Sequence, residues 1–175
     1  MKKILLPVDG SNHAAKAAGF AGDLAEKYGA EVVLLHVIDR DRLSEAEEHM
    51  AEVEHIARRG RDTIPWVANV PAELAAMLQP PEPRRTQEQM LGYLAEKVIR
   101  AATDIVEEHG VPHERIRILF KNGDAVKRIL QTVRDEDVDT VVMGSRGLSD
   151  IAGLALGSVS HRVAHGAGCT VVTVR

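Results

Sequence analysis

The hydrophobic positions near the start of the chain predict a strand, a helix and a second strand. Residues 4–8 form a short apolar run that is typical of a strand buried on both faces. Because Pro7 lacks an N–H for the ladder, we expect this strand to end or bulge there. Apolar residues then recur at helical spacing as far as Tyr28, and Gly29 ends the predicted helix. A second apolar run at 32–38 completes a right-handed βαβ unit.

The C-terminal part of the chain repeats this alternation of strands and helices. The predicted elements are a strand at 115–120 with Ile116, Ile118 and Phe120 on one side, a helix carrying Val126 to Val133, a strand at 138–143, a helix at about 158–165 and a strand at 169–174. Two turns are also predicted, one at Asp9-Gly10-Ser11, with Ser11 or Asn12 capping the first helix, and one at Asn122-Gly123-Asp124. Strands alternating with helices predict an α/β fold, an open five-stranded parallel sheet with helices on both faces.

Residues 39–113 are the least regular part of the pattern. Apolar residues at helical spacing predict one helix at 43–57 and another at 91–105. Between them, the stretch from Thr63 to Pro83 contains five prolines, which break regular structure. We therefore expect one domain over residues 1–175, with an extended helical segment at 39–113.

The composition narrows the class of protein further. The 175 residues are 45% hydrophobic with a formal net charge of -4, and only 3% are aromatic, which argues against nucleic acid as a partner. Cys169 is the single cysteine, so an intramolecular disulfide is excluded and a reducing compartment fits. No apolar run approaches the roughly 20 residues that span a bilayer. We expect a cytoplasmic protein without a membrane span.

A glycine-rich segment follows the predicted strand at 138–143. It consists of Gly144-Ser145-Arg146-Gly147, nine further residues and Gly157-Ser158, which opens a helix. Backbone without Cβ atoms approaches phosphate oxygens closely, and the amides and dipole of a helix start attract an anion. Ser158 is expected to cap the helix or to donate its hydroxyl to phosphate. The alternative is a flexible loop between two helix caps, and the segment is neither a P-loop nor a Rossmann fingerprint.

The end of the first strand supplies the other half of a candidate site. If the strand order is 3-2-1-4-5, strands one and four are neighbours at the point of reversal, where ligands bind in open parallel sheets. Asp9 then offers an acceptor suited to a ribose hydroxyl, and Val37 offers backbone and an apolar wall to a base. Alternatively, Asp9 only turns the chain or caps the first helix.

These segments together resemble the universal stress protein family. The resemblance rests on Pro7-Val8-Asp9-Gly10-Ser11, on Leu35 to Asp39, on Gly144-x2-Gly147-x9-Gly157-Ser158-Val159 and on the last strand at 169–174. It covers residues 1–38 and 114–175 and says little about 39–113. The resemblance implies the adenine nucleotide α-hydrolase-like sheet, and the glycine motif is the mark of the family's ATP-binding branch.

The resemblance also implies a set of ATP-binding residues. They are Pro7, Val8, Asp9, Val37, Met143, Gly144, Arg146, Gly147, Gly157, Ser158 and Val159. The backbone around Val37 would meet adenine and Asp9 the ribose, while the glycine motif and the helix start would hold the phosphates. Arg146 is either a further phosphate contact or a solvated side chain. A Mg²⁺ or Mn²⁺ ion would be carried on the phosphates, with no metal ligand from the protein.

The implied function is an ATP-dependent molecular switch in the stress response. The resemblance also implies a homodimer formed through the last strand at 169–174, and an unidentified protein partner. One alternative is a slow ATP hydrolase, acting alone or with a partner, and another is a structural dimer that binds no nucleotide. The motif holds no lysine and no identified general base, so we expect no catalytic residue and at most a weak ATPase. His161 and His165 are interpreted as surface histidines rather than metal ligands.

Overall fold

In the computed structural model, the described part of the chain comprises residues 1–38, 87–147 and 156–175, with side chains described from residue 92 onward in the second range. Its helices and strands are β1 (Lys3–Pro7), α1 (Asn12–Tyr28), β2 (Glu31–Ile38), α2 (Gln87–Glu108), β3 (Ile116–Asn122), α3 (Ala125–Asp135), β4 (Thr140–Gly144), α4 (Ser158–Gly166) and β5 (Thr170–Val174). The predicted helix at 43–57 and the proline-containing stretch at 63–83 lie outside the described residues.

The five strands form one parallel sheet in the order β3-β2-β1-β4-β5. In the middle of the sheet, Leu5 lies opposite Val33 on one side and Val141 on the other. The predicted α/β fold and its strand order are therefore confirmed. The order reverses between β1 and β4, so their carboxyl ends border the crevice where such sheets bind ligands.

Two hydrophobic cores lie on the two faces of the sheet. Ile4 and Leu6 pack with the alanines of α1 and with α2 on one face, and Leu5 packs with α3 and α4 on the other. The three central residues of β1, Ile4, Leu5 and Leu6, are fully buried, which explains why the strand appears in the sequence as a continuous apolar run. Burying each such leucine stabilises the fold by roughly 1.5–3 kcal/mol.

Local sequence signals set the ends of the helices. Ser11 caps α1, because its Oγ accepts the Ala14 N–H at 3.2 Å, and Gly29 ends it in the left-handed conformation with φ of 64°. Asp124 caps α3 by accepting the Lys127 N–H at 2.8 Å. These three predicted helix boundaries are confirmed, and Pro7 is the last residue of β1 as expected.

The edge strand β3 departs from a buried strand. Ile118 and Phe120 share one side of β3 as expected, yet Ile118 is 38% and Phe120 50% exposed. Together with Tyr93 of α2 they line an open concavity of about 590 Å³ between α2 and β3. The alternation of residues predicted that Ile118 and Phe120 lie on the same side of β3. How exposed their side chains are depends on elements distant in sequence, which the alternation does not show.

The amino ends of β1 and β4 are joined by Asp139. Its Oδ2 accepts the backbone N–H groups of Lys2 and Lys3, the latter at 2.8 Å. These two hydrogen bonds hold the pKa of the Asp139 carboxyl below its usual value. Asp139 thus bonds β1 to β4 at their amino ends. The crevice between the two strands lies at their carboxyl ends.

Candidate functional site

The crevice brings Asp9 and Gly147 into contact. Asp9 follows the end of β1 and Gly147 follows the end of β4, so the two belong to neighbouring strands. A Cβ atom placed on Gly147 would lie 2.6 Å from Asp9 Oδ2, closer than two such atoms approach. Glycine at position 147 therefore lets the carboxylate lie directly against the loop, and two residues of the predicted site meet as neighbours.

Gly144 serves the packing of strand against helix. A Cβ atom there would lie 2.9 Å from the carbonyl carbon of His13 and 3.0 Å from the backbone nitrogen of Ala14. The end of β4 therefore touches the backbone of the first turn of α1. This close approach brings the start of α1 next to the end of β4.

The two oxygens of the Asp9 carboxylate have different surroundings. Oδ1 accepts the Ser11 N–H at 3.0 Å and so stabilises the turn into α1. Oδ2 is the atom that lies against Gly147. The alternative role of Asp9 in turning the chain is thus present in the structure, and it leaves the second oxygen at the crevice.

The start of α4 presents backbone amides. Gly157 occupies the cap position, and its N–H donates to Ser145 O at 2.7 Å. The first helical hydrogen bond runs from the His161 N–H to Gly157 O, so the amides of residues 158–160 precede the helical ladder. None of these three amides has an acceptor among the residues that the structure describes. Such amides, with the positive end of the helix dipole, form a site for an anion.

The expectation that Ser158 caps α4 is wrong. The cap position is Gly157, which has no side chain to bond the helix, and Ser158 is the first helical residue and is exposed. Gly157 has the extended backbone conformation of a cap residue, and the helix begins at the next residue, Ser158. The cap therefore falls one residue before the serine. The Ser158 side chain is left on the surface at the start of α4.

The apolar residues of the predicted site belong partly to the two cores. Val8 and Met143 are each 5% exposed, and Val159 is half-buried against the core under α3 and α4. The core thus holds the side chains of Met143 and Val159, so their contribution at the crevice is backbone. Pro7 is half-buried at the end of β1.

The backbone of Val37 opens toward the side where β1 has ended. In a parallel strand, the N–H and C=O groups of successive residues point to opposite neighbours. Leu35 O accepts the Val8 N–H at 2.9 Å on the β1 side, and Ile38 O accepts the Gly123 N–H at 3.0 Å on the β3 side. By this alternation the N–H and C=O of Val37 face β1, where no described residue bonds to them.

Two buried serines, Ser145 and Ser160, connect α4 to the end of β4. Neither was among the predicted ATP-binding residues. Ser160 Oγ donates to Ser145 O at 2.8 Å, with Gly157 O at 3.0 Å as its other acceptor, and so ties α4 to the end of β4. Ser145 is fully buried, and its Oγ has no partner among the described residues. The Nε of Arg146 is likewise buried and unpartnered there. The sequence signal available for Ser160 was its place in the first helical turn after the glycine cap, Gly157.

Other candidate groups do not form a site in the described residues. His161 and His165 are both exposed, and no cluster of three metal-ligating side chains occurs within the described ranges. Burial raises the pKa of the Cys169 thiol, which therefore stays protonated at neutral pH. None of the described helices has the length and apolar character needed to cross a bilayer.

Comparison with known proteins identifies relatives along the whole chain. The family model described as the universal stress protein family matches residues 1–62 and 41–175. Universal stress protein YxiE of Bacillus subtilis (strain 168) is 29% identical, with 99% of this chain and 98% of that protein aligned. A universal stress protein of Thermus aquaticus is 31% identical, with the same two shares.

Solved structures share the fold. The universal stress protein from Archaeoglobus fulgidus in complex with dAMP aligns with a TM-score of 0.60 at 16% identity, covering 100% of this chain and 98% of its own. A universal stress protein family member from Arabidopsis thaliana with AMP bound aligns with a TM-score of 0.55 at 17% identity, covering 99% and 91%. At these identities the likeness establishes the fold.

Proposed function

The chain belongs to the universal stress protein family, and on that premise we propose that it binds an adenine nucleotide, ATP, between the ends of β1 and β4. The bound nucleotide would act as a switch that changes the partner or the conformation of the protein. One observation supports the proposal: the Gly157 N–H bonds Ser145 O, which places the start of α4 at the end of β4, and Asp9 Oδ2 lies against Gly147 just beyond that strand. Structural neighbours in complex with dAMP and with AMP bound support it.

The open backbone of Val37 suits adenine. Adenine carries an acceptor at N1 beside a donor at its amino group, which is the complement of an N–H and C=O pair on one residue. Val37 offers that pair on the side where β1 has ended. We expect the base to be held by backbone and aliphatic contacts.

The residues after β4 suit the phosphates. The amides of residues 158–160 supply donors, and the missing side chain of Gly147 supplies room. Arg146 Nε and Ser145 Oγ are buried without a partner among the described residues, which supports a polar pocket wall. Asp9 Oδ2 would accept from a ribose hydroxyl. A bound Mg²⁺ or Mn²⁺ would neutralise phosphate charge; the described residues form no metal cluster, so phosphate oxygens and water would supply most of its ligands.

Binding is preferred over turnover because no lysine and no general base has been identified among the described residues after β4. Phosphoryl transfer to water needs charge neutralisation and a group that orients the water. Residues 144–147 contain no lysine, and the three open amides are a fixed cradle without a proton acceptor. Slow hydrolysis is the second candidate function, and the chemical identity of the retained nucleotide separates it from the switch.

The proposal is tested by the nucleotide that the purified protein carries. The native protein is denatured, and the supernatant is separated by ion-exchange chromatography before and after overnight storage. ATP that stays intact supports the switch, and ATP that converts to ADP supports slow hydrolysis. If no nucleotide is recovered and calorimetry with ATP and Mg²⁺ or Mn²⁺ gives no binding heat, the proposed function is wrong.

We also propose a cytoplasmic homodimer formed through β5. This strand is one edge of the sheet, and its last four residues are half-buried. An exposed edge pairs readily with a second copy related by a two-fold axis. Residues 1–175 are proposed to form one such subunit.

A further inference from the structure

His36 makes a hydrogen bond that the sequence pattern did not suggest. Its Nδ1 lies 2.8 Å from the carbonyl oxygen of Val8. A carbonyl oxygen only accepts, so Nδ1 carries the hydrogen and donates it. The ring also contacts Phe120 in an edge-on arrangement, with ring centroids 6.5 Å apart. His36 is therefore half-buried with a defined ring orientation.

The Val8 carbonyl is also the natural ladder partner of Val37. Val8 N–H donates to Leu35 O at 2.9 Å, which is the last rung between β1 and β2. In a regular parallel ladder the next rung would run from the Val37 N–H to Val8 O. Between these two described residues that rung is missing, and the His36 bond stands in its place.

The geometry of a strand explains why one bond excludes the other. Side chains stand roughly perpendicular to the sheet, whereas ladder hydrogen bonds lie in its plane. A carbonyl that turns toward the His36 ring leaves the line of the Val37 N–H, and misaligned hydrogen bonds weaken steeply. The imidazole thereby satisfies the Val8 oxygen without the use of the Val37 amide.

We propose that His36 is a positioning residue that keeps the Val37 N–H open for the base of the nucleotide. The inference rests on the proposed adenine site, but its first consequence concerns the free protein alone. Removing the Nδ1 donor lets the Val8 carbonyl return to the plane of the sheet and close the missing rung. His36 would thus set base selectivity without contacting the base.

A matched pair of substitutions isolates the donor. Asparagine places an N–H₂ group where Nδ1 lies in histidine, so His36→Asn retains a donor toward Val8 O. Leucine has the same branching with methyl groups, so His36→Leu removes the donor and keeps much of the volume. Phe120→Leu serves as a further control, because it removes the ring contact and leaves the His36 donor in place.

Amide hydrogen exchange in the nucleotide-free protein tests the mechanism directly. We expect the Val37 amide of the wild type to exchange at least tenfold faster than that of Leu35, which lies within the paired part of β2. In His36→Leu the Val37 amide should become more protected, and in His36→Asn it should stay open. A Val37 amide as protected as Leu35 in the wild type, or one unchanged or less protected in His36→Leu, overturns the inference.

Base selectivity provides the second readout. Inosine presents a donor at N1 and an acceptor at C6, the reverse of adenine, so an ATP-to-ITP comparison reports on Val37. We expect His36→Leu to lower the ATP-to-ITP affinity ratio about fivefold, the weight of one hydrogen bond, and to leave tripolyphosphate binding unchanged. His36→Asn should restore the ratio. A wild type that binds no nucleotide refutes the proposed function, whereas wild-type binding with an unchanged ratio in His36→Leu refutes only the role of His36.

Discussion

At the scale of the residue, Asp9 combines a role in the turn with a position at the crevice. Oδ1 accepts the Ser11 N–H, and Oδ2 lies against Gly147. A substitution that keeps the turn but removes the charge can therefore separate the two roles. Gly147 offers the complementary test, because an added methyl group would press on the carboxylate alone.

Asp9→Asn is expected to weaken ATP binding while the fold persists. The asparagine side-chain oxygen still accepts the Ser11 N–H, so the melting temperature should stay close to that of the wild type. The loss of a charged acceptor for ribose should lower ATP affinity about tenfold, as measured by calorimetry. Equal affinities for Asp9→Asn and the wild type would mean that Asp9 serves the turn only.

Gly147→Ala is expected to displace the Asp9 carboxylate. The new Cβ would lie 2.6 Å from Oδ2, and the carboxylate is the end of a side chain that can move. ATP affinity should fall about tenfold with a small change in melting temperature. Gly168→Ala is the matched control, since nothing lies within 4 Å of its added Cβ. Full affinity in Gly147→Ala would show that the contact with Asp9 does not shape the site.

At the scale of the element, α4 is placed by its first turn. Ser145 O accepts both the Gly157 N–H at 2.7 Å and the Ser160 hydroxyl at 2.8 Å. The two bonds fix the open amides of α4 relative to the end of β4. An anion held by these amides would therefore depend on the Ser160 hydroxyl, which bonds Ser145 O rather than the anion.

Ser160→Ala is expected to weaken binding through the phosphates. The loss of the buried hydrogen bond should lower the free energy of unfolding by about 1 kcal/mol and loosen the start of α4. Affinity for ATP should fall severalfold while affinity for adenosine is unchanged. Thr103→Ala is the control, because it removes a hydroxyl that donates to Ile99 O at 2.9 Å within α2. Equal losses for ATP and adenosine in Ser160→Ala would contradict this role for α4.

The elements themselves were predictable to different degrees. Ser11, Gly29 and Asp124 act on backbone groups within three or four residues of themselves, so sequence spacing revealed them. The exposure of Phe120 was not predictable, because it depends on how α2 lies over an edge strand. The cap of α4 was expected at Ser158, one residue after its actual position at Gly157. A serine hydroxyl is a visible capping signal in a sequence, whereas the backbone conformation of a glycine is not.

The candidate site was predictable only as a set of residues. The glycine spacing and the strand ends identified the segments that meet between β1 and β4. The bonds of Ser160 to Ser145 O and of His36 to Val8 O join residues that are 15 and 28 positions apart. Local spacing does not reveal the distant acceptors of these bonds, so their contribution emerged only from the folded chain.

At the scale of the whole molecule, the proposed homodimer depends on the edge of β5 that points away from β4. Val174 O accepts the Ser145 N–H, and the Thr170 N–H donates to Asp139 O, so these residues face β4. By alternation the N–H of Thr173 points away from the sheet. It is a donor available to a second copy.

If the proposed dimer forms through β5, Thr173→Pro is expected to convert it to a monomer. Proline removes the outward N–H and leaves the hydrogen bonds of β5 to β4 intact, as an edge strand tolerates. Light scattering after size exclusion measures the mass, and Thr173→Val is the control that keeps the N–H. A variant that remains dimeric, or a wild type that is monomeric, would contradict pairing through β5.

The central claim is that an adenine nucleotide occupies the opening between β1 and β4. Hydrogen exchange of the free and ATP-loaded protein, read amide by amide, tests it most directly. We expect ATP to protect the amides of Val37, of residues 144–147 and of residues 158–160, and to leave α2 and β3 unchanged. Protection confined to the concavity between α2 and β3, or no protection at saturating ATP, would contradict the account.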